Sequence, residues 1–178
     1  LRDLIEGLEQ RVEERTHDIE LASDVSRAVS EKISDRDVLL KDAANLIRDR
    51  FDLYYTQIYL TDLSGSTLIL RAGTGEVGEE LLRRQHQLPV SPGSINGHAA
   101  SEKHTVLVAN TKENPNFLPN PLLPETRSEM AVPLIANGIV LGVLDMQSAQ
   151  SGALNELNVP TFEALAGQLA IAIQNAAL

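Results

Sequence analysis

Two apolar stretches near the C-terminus, joined by Asn137-Gly138, carry Glu129, Asp145 and Gln147 at positions where a plain core strand needs no polar atom. Side chains alternate along a strand, so Val143, Asp145 and Gln147 share one face and Leu144 and Met146 the other. In the partner stretch Ser128, Met130, Val132 and Leu134 lie opposite Glu129 and Ala131. Two carboxylates facing across adjacent strands are the raw material of acid–base chemistry or of a polar ligand site. The pattern admits two readings: a half-polar concavity that holds a small molecule, or a sheet face wetted by solvent. The candidate ligand-binding set is Tyr55, Arg71, Ile95, Asn96, Arg127, Glu129, Asp145 and Gln147. A slip of one residue in register would invert it.

Other chemistry finds little support. The histidines at positions 17, 86, 98 and 104 lack the H-E-x-x-H spacing of a zinc site. Ser94 stands in "PGSING", which is neither a nucleophile elbow nor a phosphate-binding loop. With no cysteine, the chain has no disulfide, thiolate metal site, thiol nucleophile or thioether-linked chromophore. Glu129 and Asp145 have no assigned acid, base or water path, so the expectation is that the chain is not an enzyme. Fifteen Lys and Arg against 25 Asp and Glu leave a net charge of -10, a field that repels nucleic acid and anionic membrane surfaces.

The elements that must position these residues follow from periodicity. With 178 residues, 43% of them hydrophobic, the chain can bury a core for one domain plus an extension. Leu1, Ile5, Leu8, Val12, Arg15 and Ile19 form a heptad seam that predicts a signalling coiled-coil helix over 1–30, with the folded domain over 31–178. That helix pairs in a parallel homodimer or folds back on its own domain. Ser34 and Asp35 are N-cap candidates for a second helix running to Phe51. A hairpin turns near Ser64-Gly65, and short elements follow: a helix, a strand, a further helix and a strand at "HTVLVAN". The stretch from Thr111 to Glu125, with four prolines, reads as a long loop able to roof a pocket. Asn137-Gly138 fits a two-residue hairpin turn, and an amphipathic helix begins near Pro160. The sum is an α+β domain, an antiparallel sheet with helices on one face.

"TRSEMAVPLIANGIVLGVLDMQS" resembles the central signature of GAF domains, "PGSINGHAASEKHTVLVANT" is similar to their upstream segment, and "FEALAGQLAIAIQNA" to their terminal helix. The likeness runs from about Asp35 to Ala177. "LEQRVEERTHDIELAS" resembles the signalling helices of bacterial sensor histidine kinases. The resemblance implies a six-stranded antiparallel sheet flanked by helices, in a regulatory input module of a two-component system. Its implied partners are a second copy through the N- and C-terminal helices, a downstream output domain and a small-molecule ligand. The implied location is a cytoplasmic segment whose parent is anchored elsewhere or free. Bilin-binding relatives use a cysteine, which is missing here, and the Asn-Lys pair of cyclic-nucleotide binders is replaced by Asn110-Thr111. Relatives that bind haem use a histidine, for which His98 or His104 would be the candidates, and haem is not favoured. Free-standing relatives that reduce methionine sulfoxide depend on cysteines. Two functions remain: a ligand-binding sensor, or a ligand-free dimerisation and relay module.

Overall fold

The computed structural model describes residues 36–115 and 117–176. The expected coiled coil over 1–30 and the caps Ser34 and Asp35 lie outside the described residues. The first helix, α1 (Arg36–Arg50), buries Leu39, Leu40, Ala43, Ala44 and Ile47, which recur at helical spacing on one side. Two strands follow, β1 (Tyr55–Thr61) and β2 (Thr67–Gly73). Their turn is held by Asp62, whose Oδ1 accepts from the Ser66 and Thr67 amides at 3.0 and 3.3 Å. Next come α2 (Gly75–Arg83), β3 (Gln87–Pro89), α3 (Ile95–Glu102) and β4 (Val106–Val108). A loop leads to the long hairpin β5 (Ser128–Ala136) and β6 (Ile139–Ser148), and α4 (Val159–Ala176) closes the chain. At the hairpin turn Asn137 and Gly138 both have positive φ, 52 and 76°, as a type I′ turn requires.

The six strands form one antiparallel sheet in the order β3-β2-β1-β6-β5-β4. Strands β1 and β6 are central and buried almost throughout, so their two faces meet two different layers. On one face α1 and α4 pack over Ile58, Met130, Leu134, Leu144 and Met146. On the other lie Tyr55, Tyr59, Leu70, Ala131 and Val143, packed with Leu81 of α2, Ala99 and Ala100 of α3, and Leu123 of the loop. The expected arrangement of helices on one face is therefore corrected: short helices and the loop cover the second face, because its apolar side chains are too many to leave in water. A solvated sheet face is excluded, since Glu129, Asp145 and Gln147 are 6%, 0% and 5% exposed.

Two irregularities bend the sheet. Ile58 pairs with Ala72 but Tyr59 pairs with Leu70, so Arg71 is an extra residue in β2. Likewise Leu134 pairs with Gly142 and Ile135 with Val140, leaving Leu141 extra in β6. Such bulges increase local twist and curl the strands. Gly142 sits where the curl brings β6 against β1. A Cβ there would lie 1.9 Å from the Tyr59 carbonyl oxygen. Among the described residues no helix is long and apolar enough to cross a membrane. Replacing Gly142 with Ala must push the two central strands apart, and we expect a loss of more than about 3 kcal/mol in urea unfolding; a loss below about 1 kcal/mol would show that the strands yield freely there.

A buried carboxyl pair as candidate functional site

The second face of the sheet holds a connected set of polar side chains in an otherwise apolar layer. Pairing puts Gln57 opposite Asp145, Tyr55 opposite Gln147, and Glu129 opposite Gln147 on the other side. The Tyr55 hydroxyl donates to Gln57 Oε1 at 3.1 Å, and Gln57 Nε2 donates to Asp145 Oδ2 at 2.9 Å. Gln147 Nε2 donates to the same Oδ2 at 2.8 Å, while Thr126 Oγ1, at the end of the loop, donates to Gln147 Oε1 at 2.7 Å. The chain of bonds thus links β1, β6 and the covering loop. Tyr59 lies at its edge beside Gln57, and His86 Nε2 is 3.1 Å from the Tyr59 phenol oxygen.

Asp145 Oδ1 receives no N–H or hydroxyl donor. The Asp145 carboxyl also meets that of Glu129, and two carboxyls can hydrogen-bond only when one keeps a proton. Burial first, then the Asp145 charge, holds Glu129 well above the ordinary carboxyl range. Burial also raises Asp145, against the opposing pull of hydrogen bonds from Glu129, Gln147 and Gln57. The pair shares its protons as one unit, with Glu129 the protonated member. Burial and then the charge of Asp145 push both Tyr55 and Tyr59 above the ordinary phenol value, and burial lowers His86. Asn96 is also buried, and its Oδ1 has no partner. It shares with Ala99 and Ala100 the side of α3 that packs toward β5 and β6.

The structure gathers Tyr55, Glu129, Asp145 and Gln147 in this network, and Ile95 and Asn96 in the layer above it. Two of the expected lining residues stand apart. Arg71 is the bulged residue of β2, exposed beside a separate open cavity of about 470 Å³ with Asp37, Lys41 and Glu79. The bulge breaks the alternation that would have put it with Tyr55. Arg127 precedes β5, and its Nη1 donates to the carbonyls of Pro124 and Thr126 at 3.3 and 3.1 Å. It braces the loop and leaves the carboxyls without a cation. The participants outside the expected set are Gln57, Tyr59, Thr126 and His86. For Gln57 and Tyr59 the signal was present, since "YTQIY" puts them on the face of Tyr55 by the alternation that relates Asp145 to Gln147. His98 and His104, the candidate haem ligands, stack on one another with ring centroids 5.5 Å apart. Among the described residues no group of three or more His, Asp or Glu is arranged for a metal ion. Another open cavity, of about 480 Å³, lies between Phe51, Tyr54, Gln150 and Phe162, away from the carboxyl pair. Neither cavity is lined by a residue of the carboxyl network.

The folded chain holds a proton on Glu129 that the unfolded chain gives up. This contribution to stability is complete below the unfolded glutamate value of about 4.3 and is lost as pH rises through the folded value. Glu129→Gln keeps a donor toward Asp145 without needing a proton. We expect its melting temperature to exceed that of the parent at pH 8 and to converge with it near pH 5, the gap opening by up to about 2–4 °C per pH unit. A gap independent of pH in thermal denaturation would show that Glu129 is ionised in the folded chain.

Comparison with known proteins adds the family. Residues 34–174 match the GAF domain. No curated protein sequence gives a significant match. Among solved structures, free methionine-R-sulfoxide reductase from Neisseria meningitidis, in complex with its substrate, is 22% identical, with 90% of each chain covered and a TM-score of 0.77. The GAF domain of a phosphoenolpyruvate-protein phosphotransferase from Coxiella burnetii is 18% identical over 91% of this chain and 95% of that one, with a TM-score of 0.79. The nlh2 GAF domain of A. aeolicus, in an inactive state, is 17% identical over 90% and 97%, with a TM-score of 0.74. The expectation that this chain is not an enzyme is overturned by the first of these, because the same fold carries a reductase. Missing catalytic motifs in the sequence do not separate regulators from enzymes on this scaffold. The match across residues 34–174 and the six-stranded sheet lead to one conclusion: the chain belongs to the GAF domain family.

Proposed function

We propose that this domain is the input module of a signal-transduction protein, binding a small molecule on the polar face between the sheet, α3 and the loop over 111–125. GAF domains are regulatory sensor modules. The observation that carries the reading is the buried network Tyr55–Gln57–Asp145–Gln147–Thr126 with unpartnered acceptors on Asp145 and Asn96. Burying polar groups is costly unless something offsets it. A domain selected only for rigidity would fill this face with apolar side chains, as the face under α1 and α4 is filled. Two of the solved structures support the reading in different ways: one holds a small substrate, and another is described as an inactive state, as a switching module would have.

Ligand contacts made only when the loop is closed would bias the domain between two arrangements, since only differential binding shifts an equilibrium. Thr126 is the direct tie between loop and network. We propose that the change leaves through α1 and α4 to a second copy and to an output domain, in the setting of a cytoplasmic sensor histidine kinase. Support comes from the likeness of residues 8–23 to signalling helices, and from the outer side of α4, where Ala164, Gln168, Ile171 and Asn175 are exposed without a charge. The domain boundaries would then be the helix over 1–30 and the sensor over 31–178.

Native mass spectrometry of the protein as purified, with a thermal-shift screen of amines, amino acids, nucleotides and small carboxylates, tests the proposal. We expect a co-purifying mass or a concentration-dependent rise in melting temperature, because a ligand that binds only the folded state stabilises it. Hydrogen exchange in residues 117–125 should slow when that ligand is added. The ligand's mass before and after incubation distinguishes binding from turnover. A bare mass together with a flat screen would favour the ligand-free relay.

A further inference from the structure

We propose that the polar face takes an organic cation bearing a primary ammonium group, and that its binding expels the proton held between Glu129 and Asp145. The proposal rests on the reading of this face as a ligand site and names the ligand's chemistry. The donors of the network are already directed within it: both glutamine amides donate to Asp145 Oδ2, the Tyr55 hydroxyl to Gln57, and the Thr126 hydroxyl to Gln147. What is left over are acceptors. Asn96 Oδ1, on a side chain 6% exposed, has no donor, and Asp145 Oδ1, on one with no exposure, receives no N–H or hydroxyl, so that only the Glu129 proton is at hand for it. The Glu129 carboxyl stands beside Asp145.

A buried pair of carboxyls needs a proton or a cation, because two uncompensated charges in an apolar layer are prohibitive. Among the described residues no cation fills that role. Arg127 is turned to the loop carbonyls, Arg71 is bulged out of β2, and His86 lies behind the Tyr59 hydroxyl. From α3 come Ile95, Asn96, Ala99 and Ala100, none charged, while His98 stacks on His104. Strand β4 adds Val106 and Val108, paired with Ala131 and Glu129. The remaining titratable neighbours are the phenols of Tyr55 and Tyr59, which are neutral. A metal ion is a poor occupant, since the described residues offer it no cluster of three or more acidic or histidine ligands. An ammonium brings N–H donors to the two carboxyls that the paired strands set side by side, while Asn96 Oδ1 on the helix packed over β5 and β6 is a further buried acceptor without a donor. Anionic ligands would meet two carboxyls in a chain of net charge -10.

The exchange balances as one ammonium bound and one proton released from Glu129 to solvent. Affinity for the cation therefore rises with pH, by up to about tenfold per unit while Glu129 remains protonated in the free protein. The probes are ethylammonium, propylammonium and benzylammonium, with ethanol, propanol, benzyl alcohol and propionate as controls. Isothermal titration calorimetry between about pH 6 and pH 8, in two buffers of different ionisation enthalpy, reads both affinity and proton release. We expect the amines alone to bind, with proton release, and Glu129→Gln to fold normally yet lose the pH dependence and the released proton. Binding of alcohols or propionate with the amines inert would overturn the proposal while leaving a ligand site intact. Amine affinity that is flat with pH would overturn the exchange, and silence from every amine would overturn the ligand class. The ligand-site reading itself falls only if the native mass is bare and the broad screen is flat.

Discussion

Asp145 receives both of its amide hydrogen bonds on a single oxygen, and the organisation of the polar face follows from that. Gln57 comes from the neighbouring strand β1 and Gln147 from β6 itself, two residues on, and they converge because the central pairing of β1 with β6 is in register there. Their carbonyl ends are then committed to Tyr55 and Thr126. This leaves Asp145 Oδ1 turned from the donors, with Glu129 as the neighbouring group. A buried carboxylate satisfied on one side only is in electrostatic debt, and the protonated Glu129 meets it.

Much of this was legible in the sequence, because alternation is a local rule. It put Asp145 with Gln147 and set Glu129 apart from Met130, and the structure keeps those assignments. The Asn137-Gly138 turn was equally direct, since two consecutive positive-φ residues need that chemistry. The rule fails where a strand gains a residue. Arg71 falls out of the set because β2 is bulged between the partners of Ile58 and Tyr59, and nothing in "LILRAG" marks which residue is extra. Arg127 fails differently: it lies outside the strand, where its guanidinium finds loop carbonyls. The burial of the second face was also hidden, because α2 and α3 are short and Leu123 sits in a proline-rich loop without periodicity.

A nucleophile, a metal triad and a phosphate loop are only the familiar active sites, so a sequence without them is not thereby without catalysis. A fold hosts activities that such motifs do not enumerate. The methionine-R-sulfoxide reductase shares nine-tenths of this chain in its overall trace while matching 22% of its residues. In this chain one sheet face carries the buried carboxyl pair Glu129 and Asp145. That face is the place where the present chain departs from a plain core.

The route from that face to the helices is short. Along β1, Gln57 points to the carboxyl pair and Ile58 to the layer beneath α1 and α4. Along β6, Asp145 is flanked by Leu144 and Met146, both packed in that same helix-bearing core. Neighbours on a strand cannot move independently, because the pleat fixes their opposite directions. A displacement of Asp145 by a fraction of an ångström must therefore reach Leu144 and Met146. The core there is close-packed and fully buried, and packed cores pass strain on instead of absorbing it. The close approach of Gly142 to the Tyr59 carbonyl tightens this further, since β1 and β6 have no slack at the bend. The carboxyl pair is thus one peptide unit from the surface on which α1 and α4 rest, and the arrangement of the pair constrains how those helices sit.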